Sequence, residues 1–355
     1  MILQLFLILK QYHRAHSCDF EFSISKMNIS KFTDQKLEAY RAIGDPEADA
    51  AIAQFIIDHG ANSLREMMPY LSDYKHLTKL DRSFSTIHNF IAANSKIPSW
   101  AKEKEIIRAC EFYEKHTIEI GMTLSCYALP YCYLGAKGAQ VLVMTNRIKT
   151  DTLNRLKETG SFLQSILNYD NWKNGKAVIS LNKVRLLHAA VRSFVHQHGK
   201  KYNMANGEPI NQEDLIGTNL AFSIIVMRGL RKTGVMFDSY YERAYLHFWK
   251  VAGSFLGIEE ELLVDNMKDA MKLDQHIALR QFKTSNEGVE LAHSLLKCFN
   301  TLAANKIEND MILAQTRYLL GDKYADMLKV PPTKIPLSLL KTYNYTSSLV
   351  ASIYK

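Results

Sequence analysis

The chain is poor in several features that would narrow its identity at once. Its five cysteines, Cys18, Cys110, Cys126, Cys132 and Cys298, form no CxxC pair and no tight, even spacing. That excludes the disulfide frameworks of small secreted domains and the common structural zinc motifs. Cys126 and Cys132 read as small buried hydrophobes, and the set fits a reducing, cytoplasmic compartment. Long apolar runs are also scarce. The stretch 1–9 (MILQLFLIL) is strongly apolar, but it is too short to span a bilayer and no basic region precedes it. With Lys10, His13 and Arg14 behind it, the stretch would suit a short anchor giving peripheral membrane contact. Met27 offers an alternative start, and 1–26 is expected to be peripheral to the fold. No block of consecutive basic residues occurs: 44 Lys and Arg against 36 Asp and Glu leave a net charge of +8, scattered over the sequence. Without a basic stripe interleaved with aromatics, nucleic acid is not an expected partner. A low-complexity linker and an internal repeat are missing too, so nothing divides the chain.

What is present is the composition of an ordinary globular protein, 47% hydrophobic and 23% charged. From Lys31 onward the apolar spacing is helical and strict alternation is rare, which predicts an all-α fold with one domain over 27–330 and a tail helix in 331–355. The first helical region, 34–59, breaks at Gly44-Asp45-Pro46, where Asp45 can cap a helix whose first residue is Pro46. Further helices are expected near 63–69, 73–94, 100–134, 150–169, 180–199, 211–234, 236–257, 259–276, 285–304 and 308–328, with a short apolar stretch at 139–144. Pro130 should kink or end its helix. The polar stretches 170–179 and 200–209 read as surface loops.

Two helices carry unusual polar residues. In 181–195, Leu181, Val184, Val191 and Val195 form one stripe, and His188 stands in its middle, so its imidazole should face the interior. A buried histidine with one hydrogen-bond partner is the commoner outcome of such a pattern; an axial metal ligand is the rarer one. In 152–166, Arg155, Glu158 and Thr159 stand at i, i+3 and i+4, so guanidinium, carboxylate and hydroxyl converge over one turn. Either this is an internal ion pair that fixes helix packing, or it serves a pocket. In both cases a buried arginine needs an anionic partner.

Three ordered segments, Arg155-Leu-Lys-Glu-Thr159, Val184-Arg-Leu-Leu-His-Ala-Ala-Val-Arg192 and Asn211-Gln-Glu-Asp-Leu-Ile-Gly-Thr218, together resemble signatures of the rubber oxygenase (latex clearing protein) family. Gly44-Asp-Pro46, Gly253-Ser-Phe-Leu-Gly257, Arg280-Gln281 and Gly288 extend the similarity over about 40–300. The resemblance implies a globin-like helical bundle around haem b, with His188 as proximal iron ligand and Arg155 and Thr159 in the haem pocket. It also implies dioxygen and a hydrophobic, isoprenoid-class substrate as partners. Asn211, Gln212 and Asp214 are candidates for supporting the axial imidazole, although Asn211 equally suits a helix cap. Arg192, rather than Arg185, is the expected partner of a haem propionate.

Two departures bear on the chemistry that the resemblance implies. Where rubber-cleaving members carry a lysine before the threonine, this chain has Glu158, a weaker iron ligand that could instead carry a proton. Those members also place a catalytic glutamate one to two turns before the Arg155 helix, yet Gly135 to Thr150 contains no Asp or Glu. Glu119 is far upstream, and Asp151 lies on the Arg155 helix itself. Polyisoprene cleavage is therefore not expected. The alternatives to a haem oxygenase are a non-catalytic haem or gas-binding protein and a haem-free helical scaffold.

Overall fold

The computed structural model describes residues 31–60, 62–64, 66–67, 84–144, 151–198 and 202–344. Residues 34–355 form one compact unit and 1–33 another; the expected peripheral segment 1–26, Cys18 and the first half of the helix expected at 73–94 lie outside the described residues. Among those described, every regular element is helical, apart from one isolated bridge between Gly135 and Phe282. No helix there is long and apolar enough to cross a membrane.

In chain order the helices are α1 (Asp34–Arg41), α2 (Pro46–His59), α3 (Ser85–Ala93), α4 (Glu103–Lys115), α5 (Thr117–Thr123), α6 (Leu129–Tyr133), α7 (Ala136–Met144), α8 (Thr152–Ile166), α9 (Tyr169–Lys173) and α10 (Lys176–His198). They continue as α11 (Gln212–Leu220), α12 (Val226–Lys232), α13 (Ser239–Phe255), α14 (Met267–Gln281), α15 (Asn286–Leu302), α16 (Lys306–Leu320) and α17 (Asp322–Met327). A π-helical turn, Leu124–Ala128, joins α5 to α6, and a second, Ala221–Ile225, joins α11 to α12.

Local chemistry accounts for most boundaries. Asp45 caps α2, its carboxylate accepting from Ala48 N, and Pro46 opens the helix without forfeiting a useful N–H. Asn211, Asp238, Asn266, Ser285 and Asn305 cap later helices in the same way. Three expectations differ from the structure. The helix expected at 259–276 runs over Met267–Gln281 instead, behind a short 3-10 turn at Glu260–Leu262 and the Asn266 cap. Pro130 does not end its helix, because it sits in the first turn of α6, where the π turn has already re-set the hydrogen-bond ladder. The 170–179 loop is largely helical. Asn168 accepts from the backbone N–H of Asp170 and Asn171 to start α9, Trp172 anchors it by donating to Ile166 O at 2.7 Å, and Gly175, at φ 77°, makes the turn into α10.

Helix α10 is the spine of the candidate site. It packs along α2 and against α8, and its Leu186, Ala189 and Ala190 join Ile52, Phe55, Ile87 and Phe90 in one buried cluster. Each large apolar side chain fully buried there contributes about 1.5–3 kcal/mol, which fixes the rotation of α10 and turns the stripe bearing His188 the other way.

Candidate functional site

That stripe faces a cavity of about 1590 Å³, larger than the roughly 300–1,000 Å³ of an ordinary small-molecule site. Val184, His188 and Val191 of α10 line it on one side, and Arg155, Glu158 and Thr159 of α8 on another. Among the described residues, His188 is the only histidine in the lining. Several other histidines are engaged elsewhere: His196 pairs with Glu208, His247 accepts from Lys102 N, His276 meets Asp34, and His59 and His116 pack against Phe55 and Phe112.

His188 is deeply desolvated. Burial, reinforced by the positive fields of Arg192 and Arg155, pushes its pKa down to about 3, so the imidazole is neutral at any physiological pH. Its Nδ1 is buried without a hydrogen-bond partner. An unpartnered polar nitrogen in a protein interior costs about 1–3 kcal/mol, and a side chain chosen for packing alone would not keep it. A neutral imidazole with an available lone pair is the form that ligates iron.

On α8, Arg155 Nη1 donates to Glu158 Oε2 at 3.0 Å, and the Thr159 hydroxyl donates to Arg155 O at 2.9 Å. Both charged side chains remain about one-third exposed, 35% and 30%, so the pair lies at the cavity wall and is not sealed in the core.

The two arginines that flank His188 at i−3 and i+4 do something other than expected. Arg192 is absent from the lining; its Nε donates to Asp49 Oδ1 at 2.7 Å and its Nη1 to Ile210 O at 3.2 Å. Arg185 donates through Nε and Nη2 to the Asp45 carboxylate at 2.5 and 2.8 Å and reaches Glu47 at 3.0 Å. The expected propionate partner, Arg192, is engaged by Asp49 and the Ile210 carbonyl through Nε and Nη1, and neither arginine makes a mere surface pair. Together they clamp α10 to the start of α2 on both sides of His188. The close approach extends to Gly257, where a Cβ would stand 2.3 Å from Asp45 Oδ2 and 2.7 Å from Arg185 Nε. Gln212 completes the brace, donating to Gly44 O and Gly257 O and accepting from Glu259 N. Four of the sequence segments singled out above therefore meet at one joint that orients His188.

Asn211, Gln212 and Asp214 do not touch His188. Asn211 caps α11 by accepting from Asp214 N, and Asp214 pairs with Arg41. Sequence reasoning missed Glu213, which is 0% exposed, lines the cavity and is held by Arg41, Arg280 and Gln281. It also missed Tyr131, Asp274 and Gln281 in the lining. The available signal was an Asp and a Gln on the apolar stripe Ala270, Leu273, Ile277, Ala278 of α14.

Residues 128–342, more than half of the chain, match the family described as "ER-bound oxygenase mpaB/B'/Rubber oxygenase, catalytic domain". The chain is similar to a rubber oxygenase of Streptomyces sp. (strain K30), 24% identical over 310 residues that cover 84% of this chain and 74% of the relative. It shares its fold with latex clearing protein in the closed state, at a TM-score of 0.70 and 22% identity, with 89% of this chain and 84% of the other covered.

Proposed function

Because the chain belongs to the mpaB and rubber oxygenase family of oxygenases, we propose that it is a haem b-dependent oxygenase acting with dioxygen on a hydrophobic, isoprenoid-class substrate. The observation that carries this reading is His188, a neutral, desolvated imidazole on the wall of a cavity wide enough for a macrocycle and an organic substrate together. A single protein nitrogen suits an iron that arrives already bound in a porphyrin. When bound, haem would supply the dioxygen chemistry. The chain's own residues do the rest. His188 would hold the group, and the Arg185 and Arg192 clamps fix the orientation of its helix. The apolar wall built by Val184, Val191 and Phe222 keeps bulk water from the substrate. Glu158, held by Arg155, is the proton carrier at the α8 wall.

Arg155→Leu tests the α8 group. It removes a partly exposed ion pair, worth less than about 1 kcal/mol, so helicity and melting should hardly move. The haem absorption spectrum or the rate of oxygen consumption should change. A variant that melts at a clearly lower temperature, while its haem spectrum and oxygen consumption in the folded state stay native, would assign Arg155 to packing instead.

The lack of any Asp or Glu in Gly135 to Thr150 favours a second reading, a haem protein that binds gas without turning over. Polyisoprene cleavage is not part of the proposal.

A further inference from the structure

Far from His188 in sequence, α14 turns one face to the same cavity through Asp274, Ile277 and Gln281, at i, i+3 and i+7. Both polar members are buried, at 5% and 6% exposure. Gln281 Nε2 donates to Glu213 Oε2 at 2.8 Å, and since only the amide nitrogen can donate to a carboxylate, this fixes the rotamer and leaves Oε1 as a buried acceptor without a partner. Asp274 receives the Tyr131 hydroxyl at 3.0 Å and a long contact from Arg228 at 3.4 Å, which leaves lone pairs on its carboxylate unused. Burial raises the Asp274 pKa against the opposing pull of Arg228. Both π-helical turns lie beside this wall. One precedes α6, which carries Tyr131; the other holds Phe222 and leads into α12, which carries Arg228. Such turns concentrate at functional sites. The bridge from Gly135 to Phe282 ties the end of α14 to the end of α6.

A wall meant only for hydrocarbon would have no use for these groups, since each buried acceptor without a donor is costly. We propose that the α14 face, with Gln281 Oε1 as its open acceptor and Asp274 as its second, is a polar subsite that receives the hydroxyl of an otherwise apolar ligand. The arrangement offers two acceptors, together with the one N–H of Gln281 Nε2 that Glu213 does not take, and a hydroxyl, which both donates and accepts, can meet them. Arg228 beside Asp274 disfavours a cationic amine, so a neutral hydroxyl or phenol is the class that fits. This deepens the oxygenase reading and rests on it only in treating the cavity as the ligand site.

Binding of 2-naphthol and of naphthalene to the purified full-length protein, followed by ligand fluorescence, tests the subsite. Water holds 2-naphthol more strongly than naphthalene, so a purely apolar cavity would prefer the hydrocarbon. The subsite predicts that 2-naphthol binds about tenfold more tightly, the worth of one good hydrogen bond. Gln281→Met, which leaves Asp274 as the remaining acceptor, should reduce this preference several-fold with little change in naphthalene affinity; Glu213 keeps both arginines in that variant. Asp274→Asn, which preserves size, should reduce the preference, and it carries the test if Gln281→Met fails to fold. Equal or reversed affinities in the wild type, or a preference that is undiminished in the folded variants, overturn the proposal. Haem uptake measured on the same preparations separates the two claims: protein that takes up haem but prefers naphthalene loses only the subsite, and protein with the naphthol preference but no haem uptake loses only the oxygenase reading.

Discussion

His188→Ala abolishes haem binding. In the wild type about one haem per chain is expected, held through one protein nitrogen, and no other histidine among the described residues lines the cavity to replace it. Bound haem should therefore fall from saturation to background when the variant is titrated under the same conditions. The haem-free protein should behave in the opposite sense. His188 carries a buried Nδ1 without a partner, a liability of about 1–3 kcal/mol, so His188→Leu should leave urea stability unchanged or raised. Loss of stability together with undiminished haem content would describe a packing residue.

The second large effect concerns Glu213. It is fully buried and receives Arg41 at 3.1 Å, Arg280 at 2.9 Å and Gln281 at 2.8 Å. Glu213→Ala leaves the Arg41 guanidinium, 1% exposed, with Asp214 and the Asn206 carbonyl as its remaining partners. Breaking a buried pair by removing one member costs about 3–5 kcal/mol, and the surviving contacts of Arg41 place the expected loss near the lower bound. The midpoint of urea unfolding reads it directly. Asp170→Asn, which removes the exposed i,i+3 partner of Lys173, is the control and should not shift the midpoint measurably.

These outcomes depend on features that the sequence exposes unequally. The all-α fold and the inward stripe of His188 are legible because helical period is written locally, in Leu181, Val184, Val191 and Val195. The convergence of Arg155, Glu158 and Thr159 is legible for the same reason, since residues at i, i+3 and i+4 of one helix must be neighbours. What periodicity cannot encode is which distant residue completes a pair. Arg185 and Arg192 lie on either side of His188 and therefore invited a cofactor role, but their partners, Asp45 and Asp49, stand 140 and 143 positions away. The cap at Asp45 was readable; its second duty as the anion for Arg185 was not, because that duty depends on α2 lying along α10. Gln281 escaped in the same way, for its significance comes from Glu213 fixing its amide and leaving one oxygen bare. The misread segment 170–179 has a local cause: Asn, Asp and Gly mark loop chemistry, but Asn168 uses that chemistry to start a helix that Trp172 then anchors.

The central claim is that this cavity holds haem through His188, and titration of haemin into the purified wild-type chain, followed in the Soret region alongside His188→Ala, tests it most directly. The account predicts a saturable change at about one haem per chain, with the spectrum of a histidine-ligated haem, and no such saturation in the variant. A wild type that shows no saturable Soret change, or a variant whose titration matches it, would contradict the account.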